Sequence, residues 1–521
     1  VTERSSDYAA AVSLVGAGFL VRLGADTIGV LAAATTIALA VRLLGPSEYG
    51  TLALMLAVVD VVTALGRAGF GLGTAQTVAA GHADLDTLRT AGRGSMTLAI
   101  VTGLLSGLVV AAFAVFGPVA ADATTRLVVG VGLALLLAGN NYSWGVYSVA
   151  RGLGRIGLME VVALVIPVAQ LAVLIVLFVA DVPSLRLVAG GFGIAGLVGA
   201  AASAWILRAL LPGVAGLYRP SAQAARTMLL IGLPFATAGV VAQLMSQFDV
   251  VMLGVFHSKA DVAVYQPTLK LTDGMLQLVP YLLVGAYLPA ATRLFHRGNR
   301  GGFRELYVTT TKLGYILSFP AVIALCAFPE VLLRALYGAG FPIHVNLVWI
   351  LLVGYVTNLI LGTNTFALIS AGDRRAIVIV NLAGVVTMVV TALVLIPPLG
   401  PTGGALATSC SYVIWNAAAS TALFRSTGVH PLRADFVVAL ATSAGVLAAA
   451  VAVRKLAAPG SLPAVATWTL VLWGAWVGAL VALRALRGSE MRPLVVWGQR
   501  SARREFLAGR GADVGGPGVG R

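Results

Sequence analysis

Fourteen long apolar segments constrain this chain more than anything else in it. They run at roughly 17–41, 51–75, 95–116, 126–149, 158–180, 186–209, 228–254, 271–292, 308–329, 346–369, 376–397, 403–424, 434–453 and 464–483. A helix needs about 20 apolar residues to cross a hydrocarbon core, and every segment has that length. Their continuity excludes a transmembrane β-barrel, whose strands are blocks of about ten residues with alternating polarity. Soluble core helices fail on composition. Of 521 residues, 59% are hydrophobic and 11% charged, which leaves too little polar surface to cover so many helices. The expected fold class is an all-α integral membrane protein of about 14 transmembrane helices, or twelve or thirteen if weak boundaries merge.

The first boundary lies in "VRLLGPSEYG", residues 41–50. Leu43 and Leu44 complete the first segment, and Gly45 and Pro46 interrupt the helix. Ser47 to Tyr49 are expected at the interface, with the phenol in the headgroup belt. With the N-terminus inside, 27 of the 35 Lys and Arg residues fall on the inner side and eight outside. The inner set includes Arg22, Arg151, Arg155, the run "TRLFHRGNRGGFRE", "DRR" at 373–375 and the tail. Such an excess marks the cytoplasmic side, so both termini are expected there and residues 41–50 outside. The formal charge of +15 follows from this bias and implies no nucleic acid. No ordinary cleavable signal is expected, because the first apolar run is too long and lacks a clear cleavage site.

Catalytic and cofactor signatures are missing from the sequence. Cys326 and Cys410 lie in apolar segments, as buried thiols do, and no CxxC, HExxH, Walker A or dinucleotide fingerprint occurs. The expectation is a protein that is not an enzyme and has no cofactor or metal. Coupling to H+ or Na+ stays open.

An internal repeat organises the segments. A shift of 213 residues lays "GPSEYGTLALMLAVVD" on "SKADVAVYQPTLKLTD", pairing Glu48 with Asp261 and Asp60 with Asp273. A shift of 219 lays "RGLGRIG" on "SAGDRRA". The expected division is a short cytoplasmic N-terminus (1–16), a six-helix bundle (17–209), a cytoplasmic linker (210–227), a second six-helix bundle (228–424), an additional helix pair (434–483) and a basic Gly-rich tail (484–521). Six helices return the chain to its starting side, so the bundles share orientation, as parallel repeats do in alternating-access carriers.

Polar residues inside apolar segments are the candidate functional groups, because charge this deep must face protein or water. Asn140, Trp144, Tyr147 and Arg151 recur on one narrow helix face. They fit a cavity wall that stacks on sugars and meets phosphate. They equally fit interhelical contacts, an aromatic anchor and an inside-facing topology charge. Asp60 and Arg67 lie seven residues apart, about 10 Å, too far for direct pairing. Arg67 is expected to attract phosphate, with Asp60 moderating its charge or answering a cation. In the second half, Gln243 and Gln247 share a face, Asp249 lies off it, and Lys270, Asp273, Gln277 and Tyr281 form a stripe. Lys270 and Asp273 are also placed to pair at i, i+3. Asn358 is the expected cavity residue of the tenth segment, while Asn346, Asn364, Asn381 and Asn416 are candidate interhelical donors. The basic loop from Arg293 to Lys312 fits both a topology signal and a contact with anionic membrane lipids.

Two stretches carry a family resemblance. "RLLGPSEYGTLALMLAVVDVVTALGRAGFGLG" and "LPFATAGVVAQLMSQFDVVMLGVFHSKADVAVYQPTLKL" resemble the bacterial polysaccharide transporters. These are the Wzx-like flippases of O-antigen and lipid-linked oligosaccharides, within the superfamily that also holds multidrug and toxin extrusion carriers and the lipid II flippase. The resemblance spans about residues 15–455 in pattern. It departs from the family at "DVAVYQP", where Ala263 and Val264 stand before Tyr265 and family members usually carry Gly before the Tyr. The extra helix pair departs as well, since many such flippases end after about twelve spans.

The resemblance implies two bundles around a hydrophilic cavity in a bacterial cytoplasmic membrane. It also implies flipping of a polyprenyl-phosphate-linked saccharide for cell-surface polysaccharide biosynthesis. A polysaccharide polymerase and glycosyltransferases are the expected partners. A cation-coupled multidrug exporter, a lipid II flippase and a non-transporting membrane scaffold are the alternatives.

Overall fold

A computed structural model describes residues 2–67, 69–80, 85–119, 122–210 and 221–486. The chain is helical throughout these residues. In order the helices are α1 (Thr2–Arg67), α2 (Phe70–Ala80), α3 (Leu85–Phe116), α4 (Ala123–Gly152), α5 (Ile156–Val179), α6 (Leu185–Leu210), α7 (Ala222–Phe256) and α8 (Lys259–His296). There follow α9 (Arg300–Ala327), α10 (Pro329–Tyr337), α11 (Val345–Leu361), α12 (Asn364–Ala371), α13 (Arg374–Leu399), α14 (Pro401–Thr427), α15 (Ala434–Ala457) and α16 (Leu462–Ala482). Among the described residues nine helices are long and apolar enough to cross a membrane. They become ten if α11 and α12, bent by 41° at a short break, form one span. The protein is an all-α, multi-pass membrane protein.

All fourteen apolar segments fall in helices, with breaks that the sequence reading did not place. Gly69, at φ 70°, ends α1 and splits the second segment. Gly362, at φ 69°, splits the tenth. At Gly45 (φ 71°, ψ 173°) α1 breaks into two arms. Ser47 to Tyr49 already belong to the first turn of the second arm, because Pro46 is tolerated where no N–H partner is required. Tyr49 corrects the expected headgroup contact: it is 3% exposed and donates to Gln266 Oε1 of α8. Gly29 of the first arm meets Leu164 of α5, and Arg67 of the second meets Asn140 of α4. Both contacts lie toward the end at which α4 joins α5, so the chain turns back at Gly45. The N-terminal linker side chains to residue 23, most of the 210–227 linker and the tail beyond 486 lie outside the described side chains.

Caps fix where the helices begin. Asp122 accepts from the backbone N–H of Thr125 at 3.2 Å to start α4, and Arg186 of α6 donates to both its carboxylate oxygens at 3.0 Å. Ser258 and Asp261 form a capping box on α8. Glu48, its repeat partner by sequence, accepts from Leu185 N–H at 3.0 Å and so caps α6.

Helices before residue 210 meet those after 221 through glycines. Gly50 packs on the Lys259 carbonyl. A Cβ would lie 2.8 Å from Met228 O at Gly73, 2.7 Å from Ala224 O at Gly94 and 2.6 Å from Gly69 O at Gly232. These close approaches let backbones touch where any side chain would separate them. The largest apolar core joins α1 to α7, α8, α9 and α11 through residues such as Leu54, Leu253, Tyr265, Phe319 and Leu351.

Candidate functional site

A cavity of about 330 Å³ opens where α1, α2, α4 and α7 meet, lined by Asp60, Thr63, Arg67, Asn140, Trp144 and Gln243 among others. Each wall follows from a local pattern read in the sequence. Asp60 and Arg67 lie two turns apart on the second arm of α1, and Asn140 and Trp144 one turn apart on α4. Packing then brings the two helices together. Arg67 Nη2 donates to Asn140 Oδ1 at 3.2 Å, and its Cζ sits 4.3 Å from the Trp144 ring centroid. Trp144 in turn stacks on Tyr147, with centroids 5.0 Å apart and planes 9° from parallel. A guanidinium over an indole gains about 0.5–2 kcal/mol and leaves other N–H groups free to donate. Arg67 Nε is buried without a partner.

The acid of this wall is held from across the cavity. Gln247 of α7 donates to Asp60 Oδ2 at 2.9 Å, so the two amides separate in role: Gln243 lines the cavity and Gln247 is 3% exposed. Asp249, off their face, points into the core between α7, α8 and α14. It is 1% exposed and accepts from Tyr265 Oη, from Thr408 Oγ1 at 2.6 Å and from the Val250 N–H at 2.8 Å. Arg151 is exposed in the last turn of α4 and does not line the cavity.

The α8 stripe lies on the same interior side. Lys270 stands within electrostatic reach of Asp60, Asp249 and Asp273, with no direct ion pair among the described residues. Asp273 therefore does not close the i, i+3 pair with it. Gln277 accepts from Asn358 of α11 at 3.1 Å, which places Asn358 beside the stripe. Tyr281 is 66% exposed although it lies deep within α8, and it stands in reach of Asp273 and Tyr412.

Sequence reasoning missed three aromatic residues here. Tyr355 of α11 and Tyr412 of α14 pack at 4.8 Å, Trp415 meets Tyr412 edge-on at 6.2 Å, and Trp415 Nε1 donates to Asn381 Oδ1 at 3.2 Å. In apolar segments such residues read as core. A signal was available: Tyr412 and Trp415 share a helix face with Asn416 and Ser409, an unusual polarity for a membrane helix. Of the expected interhelical donors, Asn346 donates to Thr402 and Asn364 to Asn416 and Ser420, whereas Asn381 and Asn416 accept, from Trp415 and Asn364. Among the described residues no group of three metal-ligating side chains occurs.

Solved structures share this fold. A lipid II flippase MurJ in an inward closed conformation superposes with a TM-score of 0.64 at 12% identity, covering 90% of this chain and 98% of that one. An inward-facing multidrug resistance MATE family transporter of the MOP superfamily gives 0.60 at 15%, covering 78% and 97%. A MOP superfamily transporter from Pyrococcus furiosus gives 0.51 at 15%, covering 79% and 94%. At such identities the likeness establishes the fold. No curated protein matches the chain. The family model described as polysaccharide biosynthesis protein matches residues 39–345, more than half of the sequence, and this chain belongs to that family.

Proposed function

We propose that the protein flips a polyprenyl-phosphate-linked saccharide across the bacterial cytoplasmic membrane, with its termini on the cytoplasmic side. The observation that carries this reading is Arg67, a guanidinium held over Trp144 at the wall of an interior cavity. A planar cation with free N–H groups is matched to phosphate oxygens. The lipid tail stays in the bilayer while the headgroup crosses through the cavity, where protein groups and water replace its hydration. Moving such a headgroup through hydrocarbon unaided is prohibitive. No covalent bond changes, so the residues act by binding and orienting. Lys270, in reach of three acids, offsets part of their charge, which eases the approach of an anion to Arg67.

The test is reconstitution of the purified protein in vesicles, with initial flipping rates measured for defined lipid-linked glycans and for cationic drugs under imposed proton and sodium gradients. Selective movement of the lipid-linked glycan supports the reading. Movement of drugs alone would establish the exporter reading instead, which the MATE-like fold makes the natural competitor.

A further inference from the structure

Among the described residues, two aromatic groups flank the polar residues of α1, α4 and α8, and one of them has a ring face left for a ligand. In the first, Trp144 is engaged by the Arg67 guanidinium at 4.3 Å and by the Tyr147 ring at 5.0 Å. That stack is a holder for a cation. In the second, Tyr281 is 66% exposed and, among the described residues, takes part in no ring stack or hydrogen bond. It stands in reach of Asp273 and of Tyr412, which packs against Tyr355 and Trp415. The amides of Gln277, Asn358 and Asn381 border the same region.

Hydrogen-bonding character separates the two regions further. Asp60 of the first is held by Gln247 beside the Arg67 cation, whereas Asp273 of the second lies on the α8 stripe with Tyr281, and a carboxylate accepts hydrogen bonds from hydroxyls. A ring face beside a carboxylate and amides matches a sugar, whose C–H face packs on the ring and whose hydroxyls donate to the acid. We infer that Tyr281, Asp273 and the neighbouring Tyr412 form a glycan subsite, separate from the phosphate subsite at Arg67. The inference rests on the flippase reading and divides its substrate between the two halves of the chain: phosphate on α1 and α4, saccharide on α8, α11 and α14.

Three synthetic probes separate the subsites: geranylgeranyl diphosphate bearing one N-acetylglucosamine, the same lipid bearing a chito-oligosaccharide, and a phosphate-free geranylgeranyl chito-oligosaccharide. In vesicles, Tyr281→Leu should slow the oligosaccharide lipids about fivefold more than the one-sugar lipid, the size of one lost aromatic contact. Tyr281→Trp should restore the rate, and Arg67→Gln should penalise only the diphosphate lipids. Equal losses for one-sugar and oligosaccharide lipids, or none, overturn the glycan subsite. If the wild type moves none of the three, the flippase reading fails. Binding then still decides the subsite. Chito-oligosaccharide should quench tryptophan fluorescence of the detergent-solubilised wild type at concentrations that leave Tyr281→Leu unquenched. Equal quenching in both proteins, or none, overturns the subsite independently of transport.

Discussion

Arg67 and Asp249 are both charged residues in apolar segments, and the structure gives them opposite surroundings. Arg67 keeps N–H groups toward a cavity, whereas Asp249 has its oxygens occupied by Tyr265, Thr408 and the Val250 N–H. Substituting Arg67→Gln should slow flipping of a diphosphate lipid about tenfold or more, the loss of one charge-assisted contact, and spare an uncharged analogue. Initial rates on both lipids, in variants of confirmed thermal stability, check this. Thr408→Val keeps the volume and removes one donor to a buried carboxylate. It should destabilise the fold by about 1–3 kcal/mol, read as a lower melting temperature of the purified protein. Unchanged melting with lost transport would instead assign Asp249 to the transport path. The α8 stripe was legible in the sequence because spacing alone puts Lys270, Asp273, Gln277 and Tyr281 on one face. The Arg67–Trp144 contact was not, since it joins helices 73 or more positions apart and depends on how they pack. Tyr355, Tyr412 and Trp415 were missed because a buried aromatic residue looks the same in sequence whether it faces core or cavity.

At the scale of helices, α15 and α16 are fastened to α9 by polar contacts as well as apolar ones. Lys312, fully buried, donates to Asp435 Oδ2 at 2.7 Å and to Ala485 O at 3.1 Å, while Trp473 Nε1 donates to Ile316 O at 2.9 Å. Tyr315 Oη bonds Ser443 Oγ at 2.9 Å, and Phe319 meets Trp476 at 4.3 Å. The sequence showed two more apolar helices, and only packing shows that they are anchored. Lys312→Met leaves Asp435 paired with Arg433 but removes the bonds from α9 to Asp435 and Ala485, so α15 and α16 should loosen from α9. Faster hydrogen exchange in residues 434–482 than in 123–152 is the expected sign. The clamp between α4 and α6 adds a pH effect. Hydrogen bonds from the Thr125 hydroxyl and backbone, with Arg186 beside them, lower the Asp122 carboxyl to about 2. Its folded value lies below its unfolded one, so the clamp contributes fully above about pH 4 and is lost as pH falls toward about 2. Thermal melts should therefore fall less steeply in that window for Asp122→Asn than for the wild type. The breaks at Gly69 and Gly362 escaped the sequence reading because glycine is common within membrane helices, so one that ends a helix looks the same in sequence as one that continues it.

For the whole molecule, the cation bias leads us to propose a topology and the sequence repeat a two-part form. Labelling of single cysteines in sealed, oriented cells should place Glu48 and Lys259 outside and Arg155, Arg297 and Arg374 inside. Finding position 48 on the side of position 155 would reject that orientation. The glycine contacts between the parts bear on how fast such a molecule works. Meshed side chains must change rotamer before two surfaces part, and each interlock adds to a barrier. Where Gly50, Gly73 and Gly232 lie directly on backbone of the facing helices, nothing is meshed, whereas Gly94 also meets the Met228 side chain. In the proposed transport cycle, parting this seam means rewetting backbone at these glycines and also breaking the Tyr49–Gln266 and Gln247–Asp60 hydrogen bonds and drawing Leu54 off Gly254.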